Sequence, residues 1–596
     1  MKNIIKITII GFLACFASSC KDFLEAPAKS TLDESVIFSN VAQAENAING
    51  VLVSFAETNS YRGRFFTYYG INNDVEVYNS IPVDKEPDDK VKLVNYNTNT
   101  NNDQMNTDNN VWAKLYEAIE RANLAIRGLK TYADFNNKEL AQIYGELLTL
   151  RALIYHDLLR AFGNVPARFE PITPATTYVE KSDRDVVLKQ LLADLDEAAK
   201  YVGWPNENRF TTSTEHVNKC FTKGLRARLA LIAGGYSLHN GETTARLSTD
   251  PDLNREVMYA IAKQECLDVI NSGHAYLQSG GFEAVFRALH AENYVAGNEI
   301  FWELPFSEGR GRVIFDLGVK HTNTDKYTGQ AKGGANGPNP LLFYTFRKED
   351  VRRDVSVVPY EWTGGKQVPT NLNKWYFGKY RYEWLTRMVT STNDDGLNFI
   401  GMRYADVLLM AAEAINELDG PAAAAPYLQQ ILERAYPNNL SIANSELAAA
   451  QASKEAMFNA IVDQRGKEFV GELIRKHDLI RWNLLDAKMA ENKANLEKLA
   501  NRTAPFDDVN TKVYYKTAGD GESLIFYGLN RGELGAPTEN AGSYSSKDWK
   551  IQSNDALYNY WDRLYARTPS LQPYWPIWQT FIDKSNGTLV NDPIFN

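Results

Sequence analysis

The sequence is poor in cysteine and has no concentration of basic residues. Its 596 residues include 4 Cys, and the formal net charge is −10 at pH 7. An acidic chain without a basic run lacks the electrostatic footprint that binding to nucleic acid or to an anionic lipid surface requires. The cysteines are too few for the disulfide framework of a small secreted scaffold. These absences argue against a protein that binds nucleic acid or an anionic lipid surface, and against a small disulfide-bonded scaffold.

The signatures of common catalytic sites are missing as well. The 7 histidines form neither an H-E-x-x-H nor an H-x-x-x-H pair, so nothing supports a zinc site. No G-x-S-x-G turn, P-loop or dinucleotide fingerprint occurs. A glycosidase would need two carboxylates about 5–9.5 Å apart, and the 74 acidic residues neither mark nor rule out such a pair. We therefore predict no catalytic site, no metal site and no required cofactor, with a helical surface glycosidase as the alternative.

The first residues predict an export signal that ends at a cysteine. Lys2 and Lys6 flank the start of an apolar run over 4–16, and three small residues follow it. The run is shorter than the roughly 20 residues that span a bilayer. A cysteine directly after small residues is typical of a bacterial lipoprotein signal, in which the thiol carries the lipid. We predict a signal peptide over 1–19 and lipidation of Cys20; the alternative is an ordinary secretory signal with an incidental thiol.

Two cysteines remain in the predicted mature chain, Cys220 and Cys266. They could form one disulfide bond in an oxidising compartment, or they could be two buried thiols on separate helices. The sequence leaves both possibilities open.

Helical periodicity dominates the chain from residue 111 to residue 272. In "GELLTLRALIYHDLLRAFGNVP" apolar residues recur every three or four positions, which predicts an amphipathic helix. Gly163 and Pro166 are the stop signals of that helix. Successive helices joined by short turns favour a tetratricopeptide-like scaffold of helical pairs. The same pattern predicts helices over 111–129, 184–201, 217–231, 255–271, 402–418, 422–434 and 454–482.

Two irregular stretches, rich in glycine, proline and aromatic residues, interrupt the helices. Within the first stretch, "EIFWELPF" predicts a short buried strand and "GQAKGGANGPNP" predicts a loop. The predicted fold class is mainly α, a tetratricopeptide-like scaffold with irregular, aromatic-rich insertions. The predicted divisions are the signal peptide at 1–19, a lipidated tether at 20–45, a helical part at 46–278, a loop-rich ligand-binding insertion at 279–400, a second helical part at 401–485 and a loop-rich C-terminal part at 486–596.

The densest charge pattern lies in "DQRGKEFVGELIRKHDLIRWN", residues 463–483. Four charged residues spaced by three would lie along one side of a helix and stabilise it by about 0.2–0.5 kcal/mol per pair. This spacing favours a structural role over a catalytic one. Trp482 and Trp112, which both lie on predicted helices, are predicted to be core residues. The four charged residues are Glu472, Arg475, Asp478 and Arg481.

This stretch resembles the hallmark helix of the SusD/RagB family of outer-membrane nutrient-binding lipoproteins. That helix reads roughly E-R-x-x-E-L-x-x-E-G-x-R-x-x-D-L-x-R-W, and the sequence departs from it at Gln464 and Leu473. Other family-like stretches follow in the expected order, among them "CKDFLEAP", "NEIFWELPF" and "RYADVLLMAAEAIN". The matching residues are Arg465, Glu468, Glu472, Arg475, Asp478, Leu479, Arg481 and Trp482.

The resemblance implies a function and a location. It implies a non-catalytic lipoprotein, anchored in the outer membrane through Cys20, that binds oligosaccharide at the cell surface. Its partner would be a SusC-like TonB-dependent transporter, to which it delivers the sugar. Peptide binding is the alternative within the same family.

Candidate ligand residues lie in loops where aromatic and amide side chains are frequent. Aromatic rings stack on the apolar faces of sugars, and amides both donate to and accept from sugar hydroxyls. A flexible polar loop is the alternative explanation for each residue. In "STNDDG", 391–396, the oxygen atoms would suit Ca²⁺, although an Asn/Asp turn explains the same residues. The candidates are Asp74, Tyr78 and Tyr96, the last within an asparagine-rich stretch at 95–110, and Arg310, Tyr327, Trp362 and Trp375.

Overall fold

The described part of the protein is mainly helical, with a few short strands. This confirms the predicted fold class. Among the described residues, no helix combines the length and the apolarity that crossing a membrane would require. The predicted signal peptide and Cys20 lie outside the described residues. A computed structural model describes residues 33–79, 87–329, 332–539, 541–551 and 560–595.

The helices begin and end close to the predicted positions, because their caps are local sequence signals. Asp183 accepts a hydrogen bond from the backbone N–H of Asp185 at the start of α4 (Arg184–Tyr201). Gly163 ends α3 (Lys138–Phe162) with a positive φ of 72°. The other main helices are α1 (Val41–Leu52), α2 (Val111–Tyr132), α5 (Lys219–Ala233), α6 (Arg255–Asn271), α7 (Phe282–His290), α8 (Tyr404–Asp419), α9 (Pro421–Ala435), α10 (Leu440–Ala450), α11 (Lys454–Phe469), α12 (Arg475–Arg481), α13 (Leu485–Asn501) and α14 (Gln579–Lys584). Shorter helices span Glu34–Ser39, Phe66–Tyr68, Asp89–Val94, Val313–Leu317, Pro340–Thr345 and Arg353–Ser356.

The main helices stack in chain order. From α1 to α6 each helix packs against the next, and α8, α9, α10 and α11 continue in the same way. Helix α6 packs directly against α8, although more than a hundred residues separate them in sequence. The first irregular stretch therefore leaves the helical stack and returns to it without interrupting the shared apolar core.

The strands tie the irregular stretches to this stack. Strand β2 (Ile300–Leu304), the predicted buried strand, pairs antiparallel with β8 (Phe399–Arg403), which joins the two ends of the first irregular stretch. Part of the stretch predicted as a loop forms β3 (Asn336–Pro338), because its backbone pairs with β1 (Glu76–Tyr78). The remaining strands are β4 (Val357–Val358), β5 (Tyr360–Thr363), β6 (Lys366–Pro369), β7 (Tyr376–Phe377), β9 (Lys512–Thr517), β10 (Leu524–Tyr527) and β11 (Ser545–Asp548). Strands β4 and β7 pair, β5 and β6 pair, and β9 lies between β10 and β11.

The single helix predicted over 454–482 is wrong. Helix α11 ends at Phe469 and α12 begins at Arg475. Between them Gly471 has a φ of 81° and Leu473 a φ of 58°. Residues with positive φ end a right-handed helix. The charged side chains of this stretch therefore point in several directions and do not follow one helix face.

The C-terminal segment closes over the first helices. The N–H of Trp575 donates to the carbonyl oxygen of Ala161 at 2.8 Å. The rings of Trp575 and Trp578 meet that of Phe162 edge-on, at 6.0 and 6.2 Å. These contacts bury the end of α3 under residues from the far end of the chain.

The two cysteines of α5 and α6 are both free and buried. The sequence left a disulfide bond and two separate thiols as possibilities, and the structure has two separate thiols. Burial raises the pKa of Cys220 and of Cys266, so both stay protonated and pack as small apolar groups.

Candidate ligand-binding site

The stretch 463–483, which resembles the family's hallmark helix, is called the motif. Its residues Glu468 and Glu472 belong to a buried network of charges. At its centre, Arg403 contacts Glu468 at 2.6 Å, Glu472 at 2.9 Å and Glu299 at 3.0 Å. All four side chains are at most 3% exposed. Burial alone would raise the pKa of Glu468, but Arg434, Arg403 and Arg352 hold that pKa well below its usual range. Further members are Asp350, Arg352, Lys379 and Arg434.

A second buried group of charges follows from the same motif. Arg465 bridges Asp406 at 2.7 Å and Asp478 at 2.6 Å. Arg481 pairs with Glu413, and the indole N–H of Trp482 donates to Glu413 at 2.8 Å. Buried charges are stable only when paired and hydrogen-bonded, and here each of them is.

The motif therefore holds distant elements together. Its partners lie on α8, on β8 and in the first irregular stretch, whereas the sequence favoured stabilisation along one helix. Only the pair Asp478–Arg481, at 2.8 Å, has the predicted three-residue spacing within a helix. Trp482 and Trp112 are 8% and 4% exposed, which confirms them as core residues.

Asp74 and Tyr96 contact residues of α12, whereas Tyr78 lies in β1. Asp74 forms an ion pair with Arg475 at 2.6 Å. Tyr78 is 7% exposed and lies in β1. The hydroxyl of Tyr96 donates to the carbonyl oxygen of Asn72 at 2.7 Å, and its ring is 3% exposed. Both tyrosine side chains are buried in the core, so neither presents an open ring face to a sugar.

Two candidate tryptophans are buried as well. Trp375 is fully buried, its ring 4.8 Å from that of Phe343 and 5.4 Å from that of Trp549. Trp362 is 3% exposed and stacks on His321 at 5.7 Å. Sugar stacking on either ring would require these neighbours to move, which corrects the expectation of an open platform.

The remaining two candidates are accessible. Tyr327 is half-buried, meets Trp362 edge-on at 5.2 Å and donates from its hydroxyl to Glu522 at 3.4 Å. Arg310 is exposed. Of the seven candidates, the structure brings Tyr327 and Trp362 together, and Asp74 and Tyr96 both contact α12.

The carboxylates of the candidate calcium loop have protein partners. Asp394 pairs with Arg62 at 2.6 Å. Asp395 accepts the backbone N–H groups of Phe315 and Leu397 at 3.1 Å each, while burial raises its pKa to about 7. Both carboxylates are therefore engaged by protein groups, and calcium binding stays a prediction.

Among the described residues, one group of side chains has the spacing of a metal site. Ligand atoms of Asp183, Asp185 and His239 lie within 4.8 Å of one another. Asp183 also caps α4 and accepts the N–H of Asn240 at 2.9 Å, and Asp185 accepts the hydroxyl of Ser248 at 2.6 Å. These hydrogen bonds explain the group as a capping cluster that fastens the loop after α5.

An open groove of about 430 Å³ lies between the first half of α2, the loop after α3 and α14. Trp112 forms its floor, with the rings of Tyr116 and Phe581 at 4.9 and 6.4 Å. Tyr178 stands on the rim and is 52% exposed. We call this the aromatic groove. Its polar lining residues are Glu120, Arg168, Thr177, Lys584, Ser585 and Thr588.

The rim of the aromatic groove is fixed by hydrogen bonds. The guanidinium of Arg168 donates to the carbonyl oxygens of Thr176 and Thr177 at 2.7 and 2.6 Å, which holds the loop that carries Tyr178. On the opposite side, the N–H of Thr580 donates to Asn106 at 2.8 Å. The asparagine-rich stretch predicted to bind ligand therefore supports one wall of the groove.

A second groove, of about 540 Å³, is lined by charged and amide side chains together with leucine and valine side chains. Asp74 and Arg475 border it, together with Lys488 and Asn492 of α13. Its one ring, Phe506, is 7% exposed, so this groove lacks a stacking surface. Of the two, the aromatic groove has the chemistry that suits an amphipathic ligand.

Most of the aromatic groove was not predicted from the sequence. Trp112 was noted only as a core residue, and Tyr178 and Phe581 carry no motif. The groove forms because the C-terminal segment returns to α2, a contact that no local pattern reveals. Tyr178, in a polar loop without apolar periodicity, was the one available signal.

The fold and the groove define a helical-repeat scaffold with an open binding surface. A family model described as SusD family matches residues 321–595, and one described as starch-binding associating with outer membrane matches residues 22–231. Together these two SusD-like models match most of the chain.

Individual relatives agree with this assignment. SusD-like protein P25 of Formosa agariphila is 24% identical over 530 residues, covering 81% of this chain and 90% of the relative. SusD-like protein P2 of the same organism is 26% identical over 505 residues, covering 80% of this chain and 90% of the relative.

Solved structures share the fold at low sequence identity. A SusD homologue from Bacteroides thetaiotaomicron has a TM-score of 0.64 at 19% identity, covering 80% of this chain and 92% of its own. Surface glycan-binding protein A from the same organism, in complex with laminarihexaose, has a TM-score of 0.57 at 16% identity. The match covers 92% of this chain and 99% of that protein.

Proposed function

We propose that the protein is a non-catalytic lipoprotein of the cell surface that binds a glycan and delivers it to a SusC-like TonB-dependent transporter. The match to the two SusD-like family models carries this proposal. Support comes from the structural neighbour in complex with laminarihexaose and from the family description that names starch binding and the outer membrane. Lipidation of Cys20 would hold the protein at the membrane.

We place the glycan in the aromatic groove. A pyranose ring has apolar C–H faces and a polar rim, and the groove offers both kinds of partner. Tyr178 presents an open ring face, while Arg168, Glu120 and Lys584 line the same groove. In a site open to water each hydrogen bond adds only about 0.5–1.5 kcal/mol, so the ring contacts should provide much of the affinity.

Titration calorimetry with the soluble protein, lacking residues 1–20, tests this placement. A panel of oligosaccharides that includes laminarihexaose should contain at least one ligand. Replacing Tyr178 by alanine should weaken binding of that ligand roughly tenfold or more, with an unchanged melting temperature. The matched control is Tyr132→Ala, since Tyr132 is 41% exposed and lies at the far end of the same helix as Trp112.

The possible outcomes separate function from site. If Tyr178→Ala binds like wild type while a glycan is bound, the site lies elsewhere, and Tyr327 and Arg310 become the next positions to test. If peptides are bound and no glycan is, the glycan proposal fails. Chromatography of the sugar after long incubation should return it intact, and new shorter products made only with this protein would favour the glycosidase.

A further inference from the structure

The loop between α3 and α4 is closed on itself at its base. We call residues 165–182 the rim loop, because they carry Tyr178 to the rim of the aromatic groove. The N–H of Ser182 donates to the carbonyl oxygen of Val165 at 3.1 Å, which brings the two ends of the loop together. Compact surface loops whose ends lie close together are frequently functional.

Side chains of α3 hold the first half of the rim loop. The hydroxyl of Tyr155 accepts from the N–H of Arg168 at 2.7 Å and donates to the carbonyl oxygen of the same residue at 2.8 Å. The ring of Phe169 stacks on that of Tyr155 at 4.7 Å, and its carbonyl oxygen accepts from Arg151 at 2.9 Å. Arg151 is fixed in turn by Asp194 of α4 at 2.7 Å. These contacts determine where the loop leaves the helical stack.

One face of α2 binds the backbone of the same loop. Tyr116, Glu120 and Asn123 are separated by four and three positions, so they lie along one side of the helix. The hydroxyl of Tyr116 and the amide of Asn123 donate to carbonyl oxygens of the loop at 2.9 and 3.0 Å. Glu120 takes the opposite role, because its carboxylate accepts the N–H of Ile172, with the two oxygens at 3.0 and 3.2 Å.

The part of the rim loop from Ile172 to Tyr178 is exposed at every residue, so packing does little to hold it. Within the loop, the guanidinium of Arg168 donates to the two carbonyl oxygens that directly precede Tyr178, at 2.7 and 2.6 Å. The hydrogen bond from Ile172 to Glu120 fixes the start of this exposed part to α2. The position of the Tyr178 ring therefore depends on the carboxylate of Glu120.

We propose that Glu120 is a positioning residue for glycan binding, which acts through the rim loop by holding Tyr178 where its ring stacks on the sugar. The inference rests on the proposed function and on the placement of the glycan in the aromatic groove. A loop that is already fixed in its binding conformation loses less conformational entropy when the ligand arrives. Glu120 thus contributes to affinity although its carboxylate is engaged by Ile172.

Amide hydrogen exchange of the soluble protein without glycan tests the anchoring. The N–H of Ile172 should exchange slowly in the wild type and in Glu120→Gln, which keeps an oxygen acceptor, and about tenfold faster in Glu120→Ala. Glu117→Ala is the matched control, because Glu117 lies on the same helix outside the groove and pairs with Lys114 at 2.9 Å. Equal exchange of the Ile172 amide in the wild type and in Glu120→Ala would overturn the proposal.

Titration calorimetry with laminarihexaose and the other oligosaccharides of the panel tests the role in binding. Glu120→Ala should weaken binding about threefold to tenfold, whereas Glu120→Gln and Glu117→Ala should bind like wild type. In the background of Tyr178→Ala, the change Glu120→Ala should have no further effect, since both changes act through the same ring. An equal loss in both backgrounds would overturn the proposal in favour of direct contact between Glu120 and the sugar.

The two tests separate this inference from the proposed function. If the wild type bound no oligosaccharide, the proposed function would fail, while the exchange rate of the Ile172 amide would still support or overturn the anchoring by Glu120. If a glycan bound and Tyr178→Ala left its affinity unchanged, the positioning role would be overturned together with the placement of the glycan in the aromatic groove.

Discussion

Replacing Arg403 by methionine should lower the free energy of unfolding by about 3–5 kcal/mol, the range for breaking a buried ion pair. In the network around it, four cations face four carboxylates. The variant leaves three cations for the same four carboxylates, none of which can reach water. Glu472 in particular would keep only Lys379 as a cationic partner.

Urea denaturation at pH 7, followed by tryptophan fluorescence, measures this loss. Arg127→Met is the matched control, because the pair Arg127–Glu34 is 44% and 49% exposed and should change the stability by less than about 1 kcal/mol. Adding Glu472→Gln to Arg403→Met removes the surplus negative charge and should restore part of the loss. If Arg403→Met unfolds at the same urea concentration as Arg127→Met, the reasoning about the buried network is refuted.

Three further predictions concern the motif, the anchor and pH. Trp482→Ala should cost about 3–5 kcal/mol, since it removes a buried ring, and a urea curve that overlays wild type would contradict this. Cys20→Ala should move the protein from the membrane to the soluble fraction of fractionated cells, and wild-type retention would argue against lipidation. The pKa values of Glu468 and Glu472 are lowered in the fold, so their contribution is complete above the unfolded pKa of about 4.3 and is lost as pH falls further. Urea midpoints should therefore fall as the pH drops below about 4.3, and a flat profile from pH 5 down to pH 3.5 would contradict the assignment.

Much of the helical scaffold could be predicted because its signals are local. The helix predicted over 184–201 has those bounds in the structure, since an aspartate cap and an apolar periodicity specify both the start and the buried face. The prediction of a single helix over 454–482 was wrong because the structure there depends on contacts that are not local. The charges of this stretch fit a helix, but tertiary ion pairs and a left-handed backbone at Gly471 and Leu473 impose a turn there.

The candidate site was harder to predict, because burial of an aromatic ring depends on remote segments. Trp375 lies in a polar stretch of sequence, yet Trp549 and Phe343 cover it. Truncating Trp375, or the equally buried Tyr96, should therefore reduce stability, contrary to the behaviour expected of a surface platform. The aromatic groove likewise depends on a contact between α2 and α14, at opposite ends of the chain.

The closure of the C-terminal segment over α3 has a consequence for folding. Trp575 and Trp578 lie far from Phe162 in the sequence, and without them the end of α3 and the ring of Phe162 would be open to solvent. Contacts between such distant parts of a chain form slowly, because a large loop must close first. The end of α3 should therefore be among the last parts of the helical stack to become fully packed.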